Sequence, residues 1–215
     1  NAFFEDITAN ANGANGLRVN ARTVAPGAPG SGWVFLAASN VVANGNDGDG
    51  LNVDAAATSG WAQVYFYGVT ANTNAGDGID VSARSSWPTL PVYVSFDGTR
   101  TLSNGVHGVR VVARTDGPAG VNIWGQNMVS AGNVSNGVNI QAAGASAYML
   151  DFGGGVNLPA GGNNSFHGNG FRDMRNQIGG QTVMAEGNWW GTATPVAGQF
   201  QGLIDYTPAL PADPN

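Results

Sequence analysis

The chain has 215 residues, with 34 glycines, no cysteine, 42% hydrophobic residues and only 10% charged residues. This apolar content excludes a disordered chain, and the glycines lack the three-residue period of collagen. The formal net charge of −6, with eight arginines scattered along the sequence, argues against nucleic-acid binding, and no apolar stretch is long enough to span a membrane. Because the chain begins at Asn1 without a signal-like segment, we expect a trimmed part of a longer protein.

A repeat of about 30 residues organises the sequence, which is typical of a solenoid. Five segments fit the template Asn-x-x-x-Gly-h-x-h-x-Ala, in which h is Leu, Ile or Val: NGANGLRVNA (12–21), NDGDGLNVDA (46–55), NAGDGIDVSA (74–83), NGVHGVRVVA (104–113) and NVSNGVNIQA (133–142). The segments upstream add a second asparagine row at Asn10, Asn44 and Asn72. A sixth, degenerate copy lies at 163–175, with Gly170 as its glycine and Phe166 in place of the asparagine.

Each repeat predicts two β-strands separated by turn residues. One strand is apolar and aromatic, and these strands are predicted at Trp33–Leu36, Val64–Tyr67, Val92–Phe96, Val121–Trp124 and Tyr148–Phe152. The other is short and alternating, at Leu17/Val19, Leu51/Val53, Ile79/Val81, Val109/Val111 and Val138/Ile140. No segment sustains a helical period. The sequence therefore predicts an all-β fold, a right-handed parallel β-helix solenoid of about six coils with a C-terminal cap, whose coils stack about 4.8 Å apart.

Stacking of the coils assigns a role to each row of the template. We expect the aliphatic rows to fill the interior and the alanine row to line a tight inward corner. The glycine row is expected to adopt the positive φ of a sharp turn, at Gly16, Gly50, Gly78, Gly108 and Gly137. The asparagine row is expected to adopt a left-handed turn conformation and to form a hydrogen-bonded ladder, through Asn12, Asn46, Asn74, Asn104 and Asn133.

Asparagine-rich coils of this kind resemble the right-handed parallel β-helix (pectin-lyase-like) superfamily. The ending GNWWGTATPVAGQFQGLIDYTPAL (187–210) is similar to the closing segment of bacterial secreted and cell-surface, adhesin-like members with an Asn-Trp-Trp-Gly motif. We therefore divide the chain into coils at 1–186, the first of them incomplete, and a capping segment at 187–215. Trp189 and Trp190, with Phe200, Leu203 and Tyr206, are expected to cover the last coil. The alternative is that the two tryptophans form a sugar-binding platform.

The resemblance implies polysaccharide lyase or hydrolase activity in some members, which use an Arg or Lys base with Ca²⁺ or a pair of aspartates. The sequence carries none of their motifs, and Asp97, Asp151, Asp173, Glu186 and Asp205 are not paired along the chain. His107 occupies a turn position shared with Asn15, Asp49, Asp77 and Asn136, where we expect it to be exposed. With two histidines and no cysteine, a zinc site is not expected. The sequence predicts no catalytic residue, no cofactor and no enzymatic activity.

One acidic cluster is predicted on adjacent coils. Asp49 is expected to stack on Asp77, with Asp54 and Asp80 nearby. Because like charges at this spacing repel, Ca²⁺ binding would relieve the repulsion. The alternative is a set of solvated surface aspartates.

These observations favour a non-enzymatic extracellular module with a structural or adhesive role at the cell surface. Self-association through the open N-terminal coil, end to end into filaments, and binding of surface glycans are the expected interactions, without nucleic acid or a membrane span. The alternatives are a carbohydrate-active enzyme or glycan-binding protein, with Trp61 and Trp87 as exposed aromatic candidates, and a trimeric phage tail-fibre segment. The insertions at 22–32 and 153–162 are predicted to protrude and to be places for binding.

Overall fold

The computed structural model describes residues 1–23, 32–158 and 162–215, and these form three parallel β-sheets wound as one solenoid. Sheet A contains β1 (Ala2–Glu5), β3 (Val34–Ser39), β5 (Ala62–Tyr67), β7 (Val92–Asp97), β10 (Gly120–Gln126), β13 (Ala147–Gly153), β16 (Val183–Ala185) and β18 (Ile204–Asp205). Sheet B contains β8 (Arg100–Leu102), β11 (Val129–Ala131) and β14 (Ser165–His167). Sheet C contains β2 (Leu17–Arg22), β4 (Leu51–Ala57), β6 (Ile79–Ser85), β9 (Val109–Thr115), β12 (Asn136–Ala143), β15 (Arg172–Asn176) and β17 (Phe200–Gln201).

The chain visits sheet A, then sheet B, then sheet C in every coil, and each strand pairs in parallel with its equivalent in the next coil. This arrangement gives about six coils and confirms the predicted all-β solenoid. Sheet B was missed in the sequence, where each repeat predicted only two strands. Its strands are three residues long, and in the first three coils it is reduced to single bridges at Thr8, Val42 and Thr70. Such short segments carry no alternation that could be recognised.

The interior is filled by rows of equivalent side chains. Leu17, Leu51, Ile79, Val109 and Val138 are in register across sheet C, followed by the rows that begin at Val19 and at Ala21. From the second coil onward these aliphatic side chains are buried, except for the partly buried Ala142, and Phe66 stacks on Phe96 in sheet A with ring centroids 5.1 Å apart. Burial of continuous apolar rows is the main source of stability in such a fold.

Two left-handed residues turn the chain in most coils, one at the end of the sheet A strand and one just before the asparagine row. The second set is Ala11, Gly45, Thr73, Ser103, Gly132 and Gly168. Neither the glycine row nor the asparagine row of the template has positive φ, so the expectation of left-handed backbone at those rows was wrong. The glycines are required by space instead. A Cβ on Gly78 would lie 2.6 Å from the carbonyl oxygen of Gly108 and 2.7 Å from Nδ2 of Asn104.

The asparagine row forms a continuous ladder along the axis. Asn74 Nδ2 donates to Asn104 Oδ1 at 3.0 Å, and the backbone N–H of Asn74 donates to the same oxygen at 3.0 Å. The second hydrogen of Asn74 Nδ2 reaches the carbonyl oxygen of Ala43 at 2.9 Å. Asn12, Asn46, Asn104 and Asn133 repeat the contact to the next coil, always with the amide donating toward the C-terminal end. The ladder thereby satisfies buried polar groups that would be costly if unpaired.

The sixth copy of the repeat lies three residues later than the sequence alignment placed it. Asn169, rather than Phe166, continues the asparagine row, because Asn133 Nδ2 donates to Asn169 Oδ1 at 2.9 Å. Asp173, rather than Gly170, occupies the glycine position, since Val138 pairs with the following Met174. Asp173 Oδ1 accepts hydrogen bonds from both the backbone N–H and Nδ2 of Asn169, so a carboxylate ends the ladder.

The C-terminal segment adds the last strand to two of the sheets. β17 pairs with β15 at the end of sheet C, and β18 pairs with β16 at the end of sheet A. Trp190 is 1% exposed, and its ring lies 5.4 Å from that of Phe166 and 4.7 Å from that of Phe200, which stacks on Tyr206. Trp189 is half-buried and bridges to Ser165. Leu203 was expected to take part in this packing, but it is 52% exposed and does not.

The described helical structure is one 3-10 turn at Ala197–Gln199. No described helix has the length and apolar character needed to cross a lipid bilayer. The predicted insertion at 22–32 lies mostly outside the described residues, and that at 153–162 lies partly outside them.

Candidate functional site

An aromatic ribbon runs across the outer face of sheet A. Strand alternation turns one set of side chains into the core and the other set outward. The outward set includes Phe3 in the first coil, Phe35 in the second, Tyr65 and Tyr67 in the third, Tyr93 in the fourth and Trp124 in the fifth. We call these six residues the aromatic ribbon.

Ring contacts join the members of the aromatic ribbon from coil to coil. The centroid of Phe35 lies 5.4 Å from that of Phe3 and 5.4 Å from that of Tyr65. Tyr65 lies 6.2 Å from Tyr67 and 6.1 Å from Trp124, and Tyr93 lies 6.2 Å from Trp124. Phe3 and Tyr67 are exposed, at 71% and 45%, and the other four rings are partly exposed. The ribbon is therefore a supported platform with ring faces and edges open to solvent.

The ribbon has an uncharged centre and an acidic margin. The strands of sheet A contain no arginine, and Glu5 and Asp97 lie in the same outward row as Tyr67. Asp97 accepts hydrogen bonds from Gln126 Nε2 and Asn127 Nδ2, both at 2.9 Å. Burial raises the pKa of Tyr65, and Tyr67 and Tyr93 raise it further, so its hydroxyl stays neutral. A ligand on this face meets aromatic carbon, amides and hydroxyls, without a cation.

Trp33 and Trp61 extend the aromatic surface at the start of the strands. They directly precede β3 and β5, are 47% and 42% exposed, and are adjacent in the stack, since the backbone N–H of Val34 donates to the carbonyl oxygen of Trp61 at 2.8 Å. Trp61 was a predicted glycan-binding candidate. Trp87, the other candidate, is half-buried in the turn between β6 and β7.

The aromatic ribbon ends in the sixth coil at a wall formed by residues 153–158. Asp151 follows Trp124 in the same row of sheet A but is 1% exposed. Its Oδ1 accepts from the backbone N–H groups of Gly153 and Gly155, and its Oδ2 accepts from those of Asn157 and Leu158. These four hydrogen bonds hold the segment 153–158 against the end of the ribbon. Beside it lies an open cavity of about 610 Å³.

Arginines gather on sheet C, although they are scattered along the sequence. Seven of the eight lie in its strands: Arg18, Arg22, Arg84, Arg110, Arg114, Arg172 and Arg175. Several are paired with acids, because Arg22 contacts Asp54, Arg110 Nη1 lies 2.9 Å from Asp80 Oδ1, and Arg84 and Arg114 share Asp116. Sheets A and C thus present different chemistry to solvent.

The predicted calcium ligands fall into two places. Asp49 and Asp77 share one row, where Asp49 Oδ1 accepts from the backbone N–H of Asp77 at 2.8 Å. Asp80 is close enough to raise the pKa of Asp77, and Asn52 Nδ2 donates to Asp49 Oδ2 at 2.9 Å. Asp54 lies apart from them, two positions along β4 from Asn52, and pairs with Arg22.

Burial perturbs two groups in this row. It raises the pKa of Asp77 to about 6, with the hydrogen bond from the backbone N–H of His107 opposing the shift. Burial also lowers the pKa of His107 to about 4, and Arg110 and Arg175 lower it further. His107 is half-buried rather than exposed as expected, and its Nδ1 accepts from the backbone N–H of Asn136 at 3.1 Å. Four side chains of the row each accept a hydrogen bond from a backbone N–H of the next coil: Asn15, Asp49, Asp77 and His107.

Within residues 1–23, 32–158 and 162–215, no three His, Asp or Glu side chains come together in a way that could hold a metal ion. Asp151 and Asp173, which were considered as possible acids, are both buried and accept hydrogen bonds from the protein itself. The calcium site and the absence of enzymatic activity therefore both stay predictions. The described residues offer no geometry that favours calcium binding or catalysis.

Sequence reasoning missed the aromatic ribbon although its signal is present. The segments that begin at Phe3 and Tyr65 align without a gap, which already places these two residues in one row. Marking alternate residues of each aligned segment as outward would have collected Phe35, Tyr67 and Tyr93 as well. The aromatic strands were instead described only as apolar and aromatic, with no face assigned to their residues.

No protein-family model matches the chain, and searches of curated proteins and of solved structures find no match.

Proposed function

We propose that this protein is a non-enzymatic, extracellular adhesive module that binds an extended, uncharged glycan along the aromatic ribbon of sheet A. The observation that supports this is the chain of ring contacts from Phe3 to Trp124 on an outward sheet face. Its resemblance to surface β-helix proteins with the Asn-Trp-Trp-Gly ending supports the extracellular setting.

The spacing of the ribbon suits a polysaccharide. Equivalent positions of consecutive coils are about 4.8 Å apart, close to the length of one pyranose unit in an extended glycan. The C–H faces of a pyranose pack against aromatic rings, while its equatorial hydroxyls form hydrogen bonds at its edges. Outward amides stand beside the rings, since Gln63 and Asn122 share the row of Phe35 and Tyr93. Aromatic platforms with a few polar groups are a general solution for ligand binding.

The charge of the face favours a neutral ligand over an anionic one. Glu5 and Asp97 would repel uronates and sulfated sugars, and the arginines that would attract them are on sheets B and C. The ligand class is therefore a neutral polysaccharide.

Affinity electrophoresis in gels that contain hydroxyethylcellulose, mannan or polygalacturonate tests the proposal. We expect retardation by a neutral polysaccharide and not by polygalacturonate. The double variant Tyr65→Ala/Trp124→Ala should lose it. Phe171→Ala is the matched control, because Phe171 is also an exposed ring, 48% exposed, but it precedes β15 of sheet C. Unretarded wild-type protein, or retardation that survives the double variant, would refute the proposal, and release of soluble sugars would instead favour an enzyme.

End-to-end self-association is a second candidate, favoured by the first coil. β1 and β2 are the end strands of their sheets, and Phe4, Ile7 and Leu17 in this coil are only partly buried against the core. A second copy could pair with this edge by β-augmentation. Light scattering and electron microscopy at rising protein concentration test this, and a monomer at all concentrations would contradict it.

A further inference from the structure

The cavity at the end of the aromatic ribbon has an apolar lining. Tyr148, Met149, Val156 and Met184 provide most of it, and Thr182 adds a hydroxyl. Met149 belongs to the outward row of Phe35 and Tyr93, and Met184 pairs with Asp151, so the cavity continues the surface of the ribbon. Its volume of about 610 Å³ is in the range of small-molecule sites.

Asp151 also lines this cavity, and its carboxylate shapes the cavity by holding the segment that follows it. Both carboxylate oxygens are occupied by backbone N–H groups of the segment 153–158. A bound group therefore meets thioether and aliphatic carbon, with few polar partners. Sugar hydroxyls buried against such a lining would lose hydrogen bonds to water, whereas a methyl-bearing substituent would not.

We propose that the cavity binds the acetamido group of an N-acetylated sugar unit at the walled end of the ribbon. This inference rests on the proposed function, because the ribbon holds the rest of the glycan and the cavity selects its substituent. The methyl group of the acetamide packs against Met149 and Met184. Thr182, at the open side of the cavity, is the polar group offered to the amide.

The probe pair is chitohexaose and cellohexaose, which share a β-1,4-linked glucose backbone and differ in the acetamido groups. Isothermal titration should give about tenfold tighter binding of chitohexaose, the discrimination that one buried methyl-sized group provides. Met184→Trp fills the cavity and should make the two affinities equal. Met149→Trp is a second filling variant, and circular dichroism verifies that each variant is folded.

The outcomes separate this inference from the proposed function. If Tyr65→Ala/Trp124→Ala weakens both hexasaccharides but wild-type protein binds them equally, the cavity has no selective role and only this inference fails. The same conclusion follows if the preference for chitohexaose survives in both folded filling variants. If neither hexasaccharide binds, this inference fails, and the proposed function is decided separately by retardation in the gels that contain neutral polysaccharides.

Discussion

Asp77 and His107 occupy the same row in consecutive coils, and the backbone N–H of His107 donates to Asp77 Oδ1 at 2.8 Å. Their pKa values are shifted in opposite directions by the same burial, to about 6 for Asp77 and about 4 for His107. The row therefore contains an acid that binds its proton more readily in the folded state and a base that binds it less readily.

The opposing shifts predict a nearly flat pH dependence of stability from this pair. Between pH 4 and 6, folding adds a proton to Asp77, which makes the folded state less stable as pH rises. Over the same range folding removes a proton from His107, which makes the folded state more stable as pH rises.

Single substitutions should uncover each half of this compensation. Asp77→Asn keeps the acceptor for His107 and should give stability that rises between pH 4 and 6.5, while His107→Asn should give stability that falls between pH 4 and 6. Urea unfolding at a series of pH values measures both slopes. Equal slopes in the two variants would contradict the assignment.

The asparagine ladder should contribute most to the free energy of unfolding where its side chains are buried. Asn104 is 0% exposed, accepts from two groups of Asn74 and donates to Asn133 and Ala71. Asn104→Ala leaves several of these groups unpaired, so we expect a loss of about 3 kcal/mol in the free energy of unfolding. Asn10→Ala, in the second asparagine row, is the control, because the Asn10 side chain is exposed and accepts a hydrogen bond from the backbone N–H of Asn44. Comparable losses in both variants would show that burial does not determine the role of the ladder.

The glycine row should tolerate no Cβ. Gly78→Ala forces the new Cβ against the backbone of Gly108, and we expect roughly 2 kcal/mol of destabilisation or failure to fold. Gly179→Ala provides the contrast, because a Cβ there meets nothing within 4 Å. Thermal melts of the two variants distinguish a steric requirement from a general sensitivity to losing glycine.

Calcium gives a fourth test. Asp80 is paired with Arg110, and Asp49 and Asp77 accept hydrogen bonds from the protein, so we expect neither Ca²⁺ nor EDTA to change the melting temperature. A rise with Ca²⁺ that disappears in Asp77→Asn would instead support the calcium site predicted from the sequence.

Much of the fold follows from the sequence because stacking forces equivalent residues into register. Leu17, Leu51 and Ile79 recur with the same neighbours, and these neighbours become their partners in space. The sixth copy was aligned three residues too early, because Gly170 was taken as the template glycine. In the structure Asp173 occupies the glycine position. The pairing of Val138 with Met174 and the hydrogen bonds of Asn169 distinguish the two registers.

The candidate site was harder to predict for a physical reason. The ribbon depends on which face of a strand each aromatic residue occupies, and the wall beside it depends on where Asp151 draws the following loop. Likewise, arginines distant in the sequence are neighbours on sheet C only because the coils stack.

The asparagine ladder that ends at Asp173 determines where whole coils can be added to the protein. Every asparagine before it passes the same two donors to the next coil, so a duplicated coil would find the contacts it needs on both sides. Beyond Asp173 the carboxylate is already occupied by Asn169 and by Gln199 Nε2 at 2.8 Å. Lengthening the protein by whole coils should therefore succeed between Asn46 and Asn133. It should fail after Asp173, because this carboxylate terminates the ladder of hydrogen bonds.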